Sequence, residues 1–358
     1  MTQHTIAVLP GDGIGREVMP EALKVLHRVG QIFDIGFRFS HLDWSCETWL
    51  ATGSMMPPDG MDRLSQHDAI LLGAVGYPTV PDHISLWGML IPIRREFDQY
   101  VNLRPVRLLP GIPCPLAGRA PGDIDFWIVR ENTEGEYSQI GGRFAEGSEA
   151  EGVAQTAIFT RRGTDRIMRY AFDLATRLGR PHVSSATKSN GLFHSMPYWD
   201  ERFEKIAAEY PDIRTDSHHI DILAARFVMH PDRFDVVVGS NLFGDILSDL
   251  GPGVTGTIAV APSANINPEK RFPSMFEPVH GSAPDIAGRA IANPIGQVWA
   301  ASMMLDHLGE GEAAALVLRA IEHMTADPSA LVRTADIGGH ASTSACGDAI
   351  VAALDRIA

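Results

Sequence analysis

Two aspartates one helical turn apart, Asp245 and Asp249, stand in the run Ser240-Asn-Leu-Phe-Gly-Asp-Ile-Leu-Ser-Asp-Leu-Gly251. Residues 234–238, apolar and β-branched, read as a buried strand, and from about Phe243 the chain reads as a short helix. At spacing i, i+4 both carboxylates leave the same helix face, where they repel unless a cation or an arginine sits between them. A third acid, Asp221, opens the apolar segment Ile220-Asp-Ile-Leu-Ala-Ala-Arg-Phe-Val. Three carboxylates with no histidine or cysteine at comparable spacing suit a hard divalent cation, Mg²⁺ or Mn²⁺. The bland alternative is a helix N-cap acid plus a solvated helix face.

Arginines form a second set. Arg94, Arg95 and Arg104 lie in the run Ile91-Pro-Ile-Arg-Arg-Glu-Phe-Asp-Gln-Tyr-Val-Asn-Leu-Arg-Pro105, and Arg130 ends an apolar strand-like run. An arginine at the carboxyl end of a central strand is costly unless it faces an anion. Guanidinium groups bind carboxylates in forked pairs, so the set fits a dicarboxylic or polycarboxylic acid. Surface ion pairing fits Arg95 and Arg107 better than Arg130. Tyr137 and Lys188 are a candidate acid–base couple, Lys188 following the strand-like run 183–187. A lysine, with an ordinary pKa of about 10.4, acts as a base near neutrality only when buried or beside a cation.

Other segments must position these groups. The strand-like run Thr5-Ile-Ala-Val-Leu-Pro10 feeds Gly11-Asp-Gly-Ile-Gly15, and a helix follows with Val18, Ala22, Val25, Leu26 and Val29 on one stripe. The glycine spacing is G-x-G-x-G and no acid ends a second strand about 20 residues on, so a Rossmann site is not expected. Its secure content is a tight turn where backbone passes close to a ligand or a neighbouring helix. Residues 69–73 and 124–129 read as further buried strands, 165–178 as a helix closed by Gly179, and 182–187 as a strand before a helix carrying Trp199, Phe203 and Ile206. This alternation predicts an α/β protein with a largely parallel sheet. Residues 134–162, rich in glycine and glutamate, read as a projecting arm suited to subunit contact. Residues 276–294 form a long loop of glycine, proline and small residues, open to close approach by a flat ring or a pyrophosphate.

The 358 residues, 45% hydrophobic, can bury a large core and divide into two lobes. A net charge of −14 argues against nucleic acid or an anionic membrane as partner, though not against an anionic small substrate held by a few arginines. Three scattered cysteines, Cys46, Cys114 and Cys346, make neither a disulfide framework nor a zinc pattern. With no export signal and no apolar run near about 18 residues, a cytoplasmic protein is expected.

Taken together, His280-Gly-Ser-Ala-Pro-Asp-Ile-Ala-Gly288 with Ile291-Ala-Asn-Pro294 resembles the cofactor loop of the β-decarboxylating dehydrogenases, the family of isopropylmalate and isocitrate dehydrogenases. The run from Asn241 to Asp249 resembles its metal motif. Asn102-Leu-Arg-Pro105 and Arg130-Glu-Asn-Thr-Glu-Gly-Glu-Tyr137 resemble its substrate segments. The likeness runs from residue 5 to Asp336-Ile-Gly-Gly. It implies a two-lobed α/β/α fold, not a Rossmann fold, with a largely parallel sheet, antiparallel additions and a β arm for dimerisation. The implied boundaries are 1–102 with 258–358 for a large cofactor domain, and 103–257 for a small domain with substrate, metal and dimer contacts.

The resemblance also implies roles. Arg94, Arg104 and Arg130 would hold substrate carboxylates, with Trp87 and Asp221 beside the substrate. Asp221, Asp245 and Asp249 would bind Mn²⁺ or Mg²⁺ chelating the 2-hydroxyl, Lys188 would take the hydroxyl proton, and Tyr137 would protonate the enol carbon after CO₂ departs. Lys188 and Asp221 are expected to reach into the partner's site of a homodimer. Cofactor contacts are implied for Ile14, Ala74, Glu277, His280, Gly281, Ser282, Ala283, Pro284, Asp285, Ile286 and Asn293. Members using the phosphorylated cofactor carry Lys-Tyr where this chain has Asp285-Ile286; a carboxylate accepts from ribose hydroxyls and repels a 2′-phosphate, so NAD is expected. K⁺ activation is a further family expectation.

Isopropylmalate enzymes typically carry an acid at the position of Trp87, followed by leucines that pack the isopropyl group. Here the stretch is Trp87-Gly-Met-Leu-Ile-Pro-Ile-Arg94. Ser85-Leu-Trp-Gly88, Ile93-Arg-Arg-Glu-Phe-Asp-Gln-Tyr100, Pro197-Tyr-Trp-Asp-Glu-Arg202 and Gly256-Thr-Ile-Ala-Val-Ala-Pro-Ser-Ala264 resemble the tartrate- and D-malate-oxidising branch. The indole could fill the isopropyl space, leaving room at C3 for hydrogen or hydroxyl. D-malate, with L- and meso-tartrate, is the expected substrate class. A variant isopropylmalate dehydrogenase of leucine biosynthesis and a catalytically silent dicarboxylate-binding protein are the alternatives.

Overall fold

The computed structural model describes Thr2–Ala358. These residues divide into two compact units, one built from the chain up to Gln99 with Arg104–Ile124 and Gly251–Ala358, the other from Tyr100–Leu103 and Asp125–Leu250.

In the first unit the apolar run near the start becomes β1 (Thr2–Gly11), and the glycine turn delivers it into α1 (Gly15–Phe33). Val18, Ala22, Val25, Leu26 and Val29 are all buried on that helix, as their spacing requires. Then come β2 (Ile35–His41), α2 (Cys46–Thr52), α3 (Gly60–Ser65) and β3 (Ala69–Ala74). Residues 82–96 form an interrupted helix: α4 (Asp82–Ser85), a π turn over Leu86–Leu90, and α5 (Ile91–Glu96). The strand β4 (Val101–Arg107) leads through a long connection into the second unit.

That unit opens with β5 (Asp125–Glu131), then the short strands β6 (Gly141–Phe144) and β7 (Gly152–Gln155). After them come α6 (Arg161–Leu178), β8 (His182–Thr187), α7 (Ser195–Ala207), β9 (Arg214–His219), α8 (Ile220–Met229), β10 (Val236–Gly239) and α9 (Asn241–Thr255). The chain returns to the first unit with β11 (Pro262–Ile266), β12 (Ser274–Pro278), α10 (Ile295–Leu308), α11 (Gly311–Ala326) and α12 (Thr343–Ile357).

Strand order in the first unit includes β2-β1-β3-β12-β11, parallel except for the antiparallel β11–β12 pair. In the second unit the order β5-β10-β8-β9 is wholly parallel. Parallel strands covered on both faces read as continuous apolar runs, which is why Ile70, Leu71 and Leu72, or Val236, Val237 and Val238, are buried without alternation. One core gathers Leu9, Ile70 and Leu72 with Met55, Met89, Ile93 and Phe97. The other holds a ring cluster, Phe227 lying 4.8 Å from Phe126 and 5.0 Å from Phe234. Burying each such ring contributes roughly 1.5–3 kcal/mol. The chain thus adopts the expected α/β class with antiparallel additions, and β6 and β7 make an exposed antiparallel hairpin within the segment read as an arm.

Local boundaries differ where side chains cap helices. The helix read over 165–178 starts at Arg161 because the Thr160 hydroxyl accepts the Gly163 N–H at 3.0 Å. The helix of the aspartate pair starts at Asn241, where the Glu136 carboxylate accepts from the Leu242 N–H at 3.1 Å and the Ser240 hydroxyl at 2.7 Å. The loop read from residue 276 begins later, since Phe276–Pro278 closes β12.

Candidate active site

In the second unit Arg130, at the carboxyl end of β5, is only 5% exposed. Its cost of burial is met in two ways. The Asn241 carboxamide oxygen accepts from Nε at 3.1 Å and from Nη2 at 2.7 Å, while Nη1 pairs with Oδ1 of Asp245. The side chain of Asn241 is itself fixed, donating to the Glu134 carbonyl at 3.0 Å. A Cβ at Gly244 would stand 2.6 Å from the Cβ of Arg130, so the glycine between Asn241 and Asp245 is what lets α9 approach β5.

Tyr137 completes this group. Its hydroxyl donates to Oδ2 of Asp245 at 2.8 Å, and the Arg130 guanidinium lies over its ring, 5.5 Å from the centroid. Burial, then the neighbouring Asp245 charge, push the phenol above its ordinary pKa, so it stays a proton donor at neutral pH. One turn further on α9, Asp249 is exposed. Of the two compensations open to this acid pair, a cation or an arginine, the chain itself supplies an arginine at Asp245.

A second pair stands where β8 and β9 end together, Thr187 opposite His219. Lys188 follows β8 and Asp221 lies in the first turn of α8; their Nζ–Oδ1 distance is 3.0 Å. The lysine hydrogen bond holds the exposed Asp221 carboxyl below its usual pKa. The edge strand is fastened by Asp216, which lies 3.2 Å from His182 and 3.1 Å from His218. Among the described residues no three acidic, histidine or cysteine side chains gather as metal ligands, so Asp221 is not grouped with Asp245 and Asp249 within one chain.

The first unit carries the glycine turn and the small-residue loop together. The Ile14 N–H donates to the Ser282 carbonyl at 2.9 Å and the Asp12 N–H to the Ala74 carbonyl at 2.7 Å. Gly13 has φ +53, and any Cβ there would strike the Ser282 carbonyl. Asp12, fully buried, accepts the N–H groups of Cys46 at 3.0 Å and Gly76 at 3.1 Å. Ile14 packs in one apolar cluster with Val18, Ala292, Ala283 and Ile286. Residues 75–82 and 281–284 line a cleft of about 610 Å³, which brings Gly281, Ser282, Ala283 and Pro284 beside the chain following Ala74.

The other cofactor candidates fall around this loop. His280 is held by desolvation below the ordinary imidazole pKa, hence neutral, with Nδ1 2.9 Å from the Gly281 carbonyl. Asp285 is exposed, whereas Asn293 is buried, donating to Asp336 at 2.9 Å and accepting the Ile295 N–H at 2.9 Å. Glu277, buried on β12, accepts from Arg94 at 2.9 Å and from the Asn265 carboxamide at 2.7 Å. The buried Nε of Arg94 has no protein partner. Arg104 is buried on β4. Trp87 sits in the π turn under the guanidinium of Arg95, 5.1 Å from its ring centroid. Sequence reading missed Asp12, Asn241, Asn265 and Glu136 as organisers, and took Arg95, which stacks on Trp87, for a surface ion-pairing residue. Their bonds lie mostly across long sequence separations, which periodicity does not register; only Asn241, inside the aspartate motif, carried a signal.

The isocitrate/isopropylmalate dehydrogenase family profile matches residues 5–350. The chain is 61% identical to the D-malate dehydrogenase (decarboxylating) of Escherichia coli (strain K12) over 357 residues, 98% of each chain. It is 58% identical to the tartrate dehydrogenase/decarboxylase of Pseudomonas putida, again over 98% of each. The crystal structure of isocitrate dehydrogenase from Methylococcus capsulatus superposes with a TM-score of 0.88 at 33% identity, covering 98% of this chain and 99% of that one. A fold shared end to end, with the arginine, tyrosine and aspartate motifs in place, has one reading: this chain belongs to the isocitrate/isopropylmalate dehydrogenase family.

Proposed function

We propose that this protein is an NAD- and divalent-metal-dependent dehydrogenase that oxidises a 2-hydroxy dicarboxylic acid at C2 and releases its β-carboxylate as CO₂. D-malate, giving pyruvate, is the leading substrate, with L- and meso-tartrate as related ones. The observation that carries this reading is the meeting of Arg130 and the Tyr137 phenol on the single carboxylate of Asp245. The likeness to D-malate and tartrate dehydrogenases over 98% of the chain supports the substrate class.

Oxygen-only donors fit Mn²⁺ or Mg²⁺, with Asp245 and Asp249 from one chain and Asp221 from a second copy. The loop residues 280–286, with Ile14, Ala74, Glu277 and Asn293, fit a nicotinamide dinucleotide: small side chains and a neutral His280 leave the backbone open to a ring and a pyrophosphate. When bound, the cation supplies Lewis acidity at the 2-hydroxyl and NAD⁺ accepts the hydride. The chain's own residues do the rest. Arg94, Arg104 and Arg130 hold the carboxylates, the Nε of Arg94 being a buried donor still to be matched. Lys188 Nζ takes the hydroxyl proton, with Asp221 fixing it at 3.0 Å. After the C3–C4 bond breaks and CO₂ leaves, Tyr137 gives its proton to C3.

A homodimer follows from the same assignment. Ile222 and Met229 on α8 and Ile246 on α9 are 45%, 52% and 52% exposed, apolar side chains that a second copy would cover. Among the described residues no helix is long and apolar enough to cross a membrane.

The deciding assay is NADH formation with Mn²⁺ and K⁺ present, comparing kcat/KM for D-malate, L-tartrate, meso-tartrate and 3-isopropylmalate. D-malate should lead and isopropylmalate be nearly silent. A lead for isopropylmalate overturns the substrate assignment, and NAD⁺ binding without reduction by any dicarboxylate overturns the catalytic one.

A further inference from the structure

Asp245 carries two loads that exclude each other. Its Oδ1 is paired with Nη1 of Arg130, and as a ligand of a divalent cation the same carboxylate would have to release that partner. The Tyr137 hydroxyl on Oδ2, at 2.8 Å, is no obstacle, since a neutral donor leaves the carboxylate its charge. The guanidinium is one. It neutralises the carboxylate, and two positive charges crowded onto one part-buried group repel strongly.

The surroundings decide which member of the pair can move. α9 is held against β5 at Gly244, where a Cβ would stand 2.6 Å from that of Arg130, so any exchange falls to side chains. Asn241 is buried, and its Nδ2 donates to the Glu134 carbonyl at 3.0 Å. That bond turns the carboxamide oxygen toward Arg130, where it accepts from Nε at 3.1 Å and Nη2 at 2.7 Å. Two nitrogens of the planar guanidinium are thus clamped from behind, and the third, Nη1, meets Asp245. The Arg130 side chain is 6% exposed and that of Asp245 31%, so the carboxylate is the member that a cation from solvent can reach.

We propose that Arg130 and Asp245 form an exchangeable latch, with Asn241 as the positioning residue that keeps the guanidinium in place while Nη1 passes from Asp245 to a substrate carboxylate. The exchange occurs when a divalent cation takes Asp245. This rests on the reading above, in which Asp245 is a cation ligand and Arg130 holds a substrate carboxylate. Without the cation, the substrate arginine is tied to a carboxylate of its own chain, so a dicarboxylate meets a closed partner. The latch also works in reverse: the Arg130 charge competes with the cation for Asp245, and removing that charge should tighten cation binding although the residue serves the substrate.

The test is the dissociation constant of Mn²⁺, by titration calorimetry of the full chain without nucleotide or substrate. Wild type is compared with Arg130→Met, Arg130→Gln, Arg130→Lys and Asp245→Asn, each checked for native circular dichroism. Arg130→Met and Arg130→Gln should each tighten Mn²⁺ binding roughly tenfold, the scale of one charge-assisted hydrogen bond. Arg130→Gln keeps a polar partner for the buried Asn241 and decides the question even where Arg130→Met misfolds. Arg130→Lys, still charged, should gain much less. Asn241→Ala frees the clamped edge of the guanidinium and should raise KM for D-malate about tenfold, with KM for NAD⁺ unchanged. Mn²⁺ binding that is unchanged or weaker in the neutral Arg130 variants, while Asp245→Asn has lost it, overturns the latch and leaves the cation assignment standing. An unchanged D-malate KM in Asn241→Ala overturns the positioning role. An Asp245→Asn variant that binds Mn²⁺ as well as wild type overturns the cation assignment and the latch with it.

Discussion

Tyr137 donates to Oδ2 of Asp245 at 2.8 Å while Arg130 takes Oδ1 of the same carboxylate. The phenol is thus aimed by an acid that keeps it protonated, for burial and the Asp245 charge both disfavour the phenolate. The Tyr137→Phe variant should lose proton delivery to C3 but keep the fold. We expect kcat to fall by roughly 10²–10⁴ with substrate KM little changed. With D-malate stereospecifically tritiated at C3 and turned over in D₂O, the wild type should give a pyruvate methyl group of H, D and T with a single configuration, and the variant a mixed one. A stereospecific product from the variant would remove Tyr137 as the donor.

Lys188 pairs with Asp221 at 3.0 Å, and neither belongs to the group that holds Tyr137. If each site takes its lysine from the second copy, two inactive variants repair each other. Lys188→Met mixed with Tyr137→Phe after subunit exchange forms hybrid dimers with one intact site. A 1:1 mixture should recover about a quarter of wild-type activity. No recovery from a mixture shown to contain hybrids would place both residues in one chain's site.

These assignments show what a sequence does and does not display. The aspartate pair, the arginine at a strand end and the lysine after a strand were legible because each depends on local spacing: i, i+4 on a helix, or the last residue of an apolar run. The strand and helix order was legible for the same reason, through Val18 to Val29 and Val236 to Val238. What holds the site was not. Asp12 bonds Gly76 across 64 residues, Arg130 bonds Asn241 across 111, and Glu277 bonds Arg94 across 183. Such pairs exist only once the chain has folded. The π turn lies between these cases: Pro92 announces a disturbed helix, but the stacking of Arg95 on Trp87 shows only in the geometry.

Glu131, next to Arg130 and fully buried, gives a stability prediction with a definite sign. Desolvation raises its carboxyl to about 7 from an ordinary 4.5, against hydrogen bonds from Glu134 and Thr133 that act the other way. Below pH about 4.5 the group is protonated folded and unfolded, and it costs nothing. As pH rises toward about 7 the unfolded chain ionises first, so stability is lost across that window, by about 3 kcal/mol in all. Glu131→Gln should remove this loss. Urea midpoints at pH 5 and pH 8 should differ less in the variant than in wild type; an equal difference would show that Glu131 ionises as freely folded as unfolded.

If the loop takes NAD as proposed, its preference over the phosphorylated cofactor falls to Asp285, exposed beside Ile286, which packs with Ile14. At about 4 Å and an effective dielectric of about 20, a carboxylate repels one negative charge of a 2′-phosphate by roughly 4 kcal/mol, about a thousandfold in affinity. An exposed carboxylate is screened, so the working preference at physiological salt should be smaller, about ten- to hundredfold, and should grow as salt is lowered. Asp285→Lys with Ile286→Tyr replaces the repulsion by attraction and should carry the ratio of kcat/KM for NAD⁺ over NADP⁺ below one. The wild-type ratio at low and high ionic strength separates charge from shape. A preference that ignores salt would mean that the loop rejects the phosphate by its contour, and that Asp285 acts as a hydrogen-bond acceptor for the ribose without contributing repulsion.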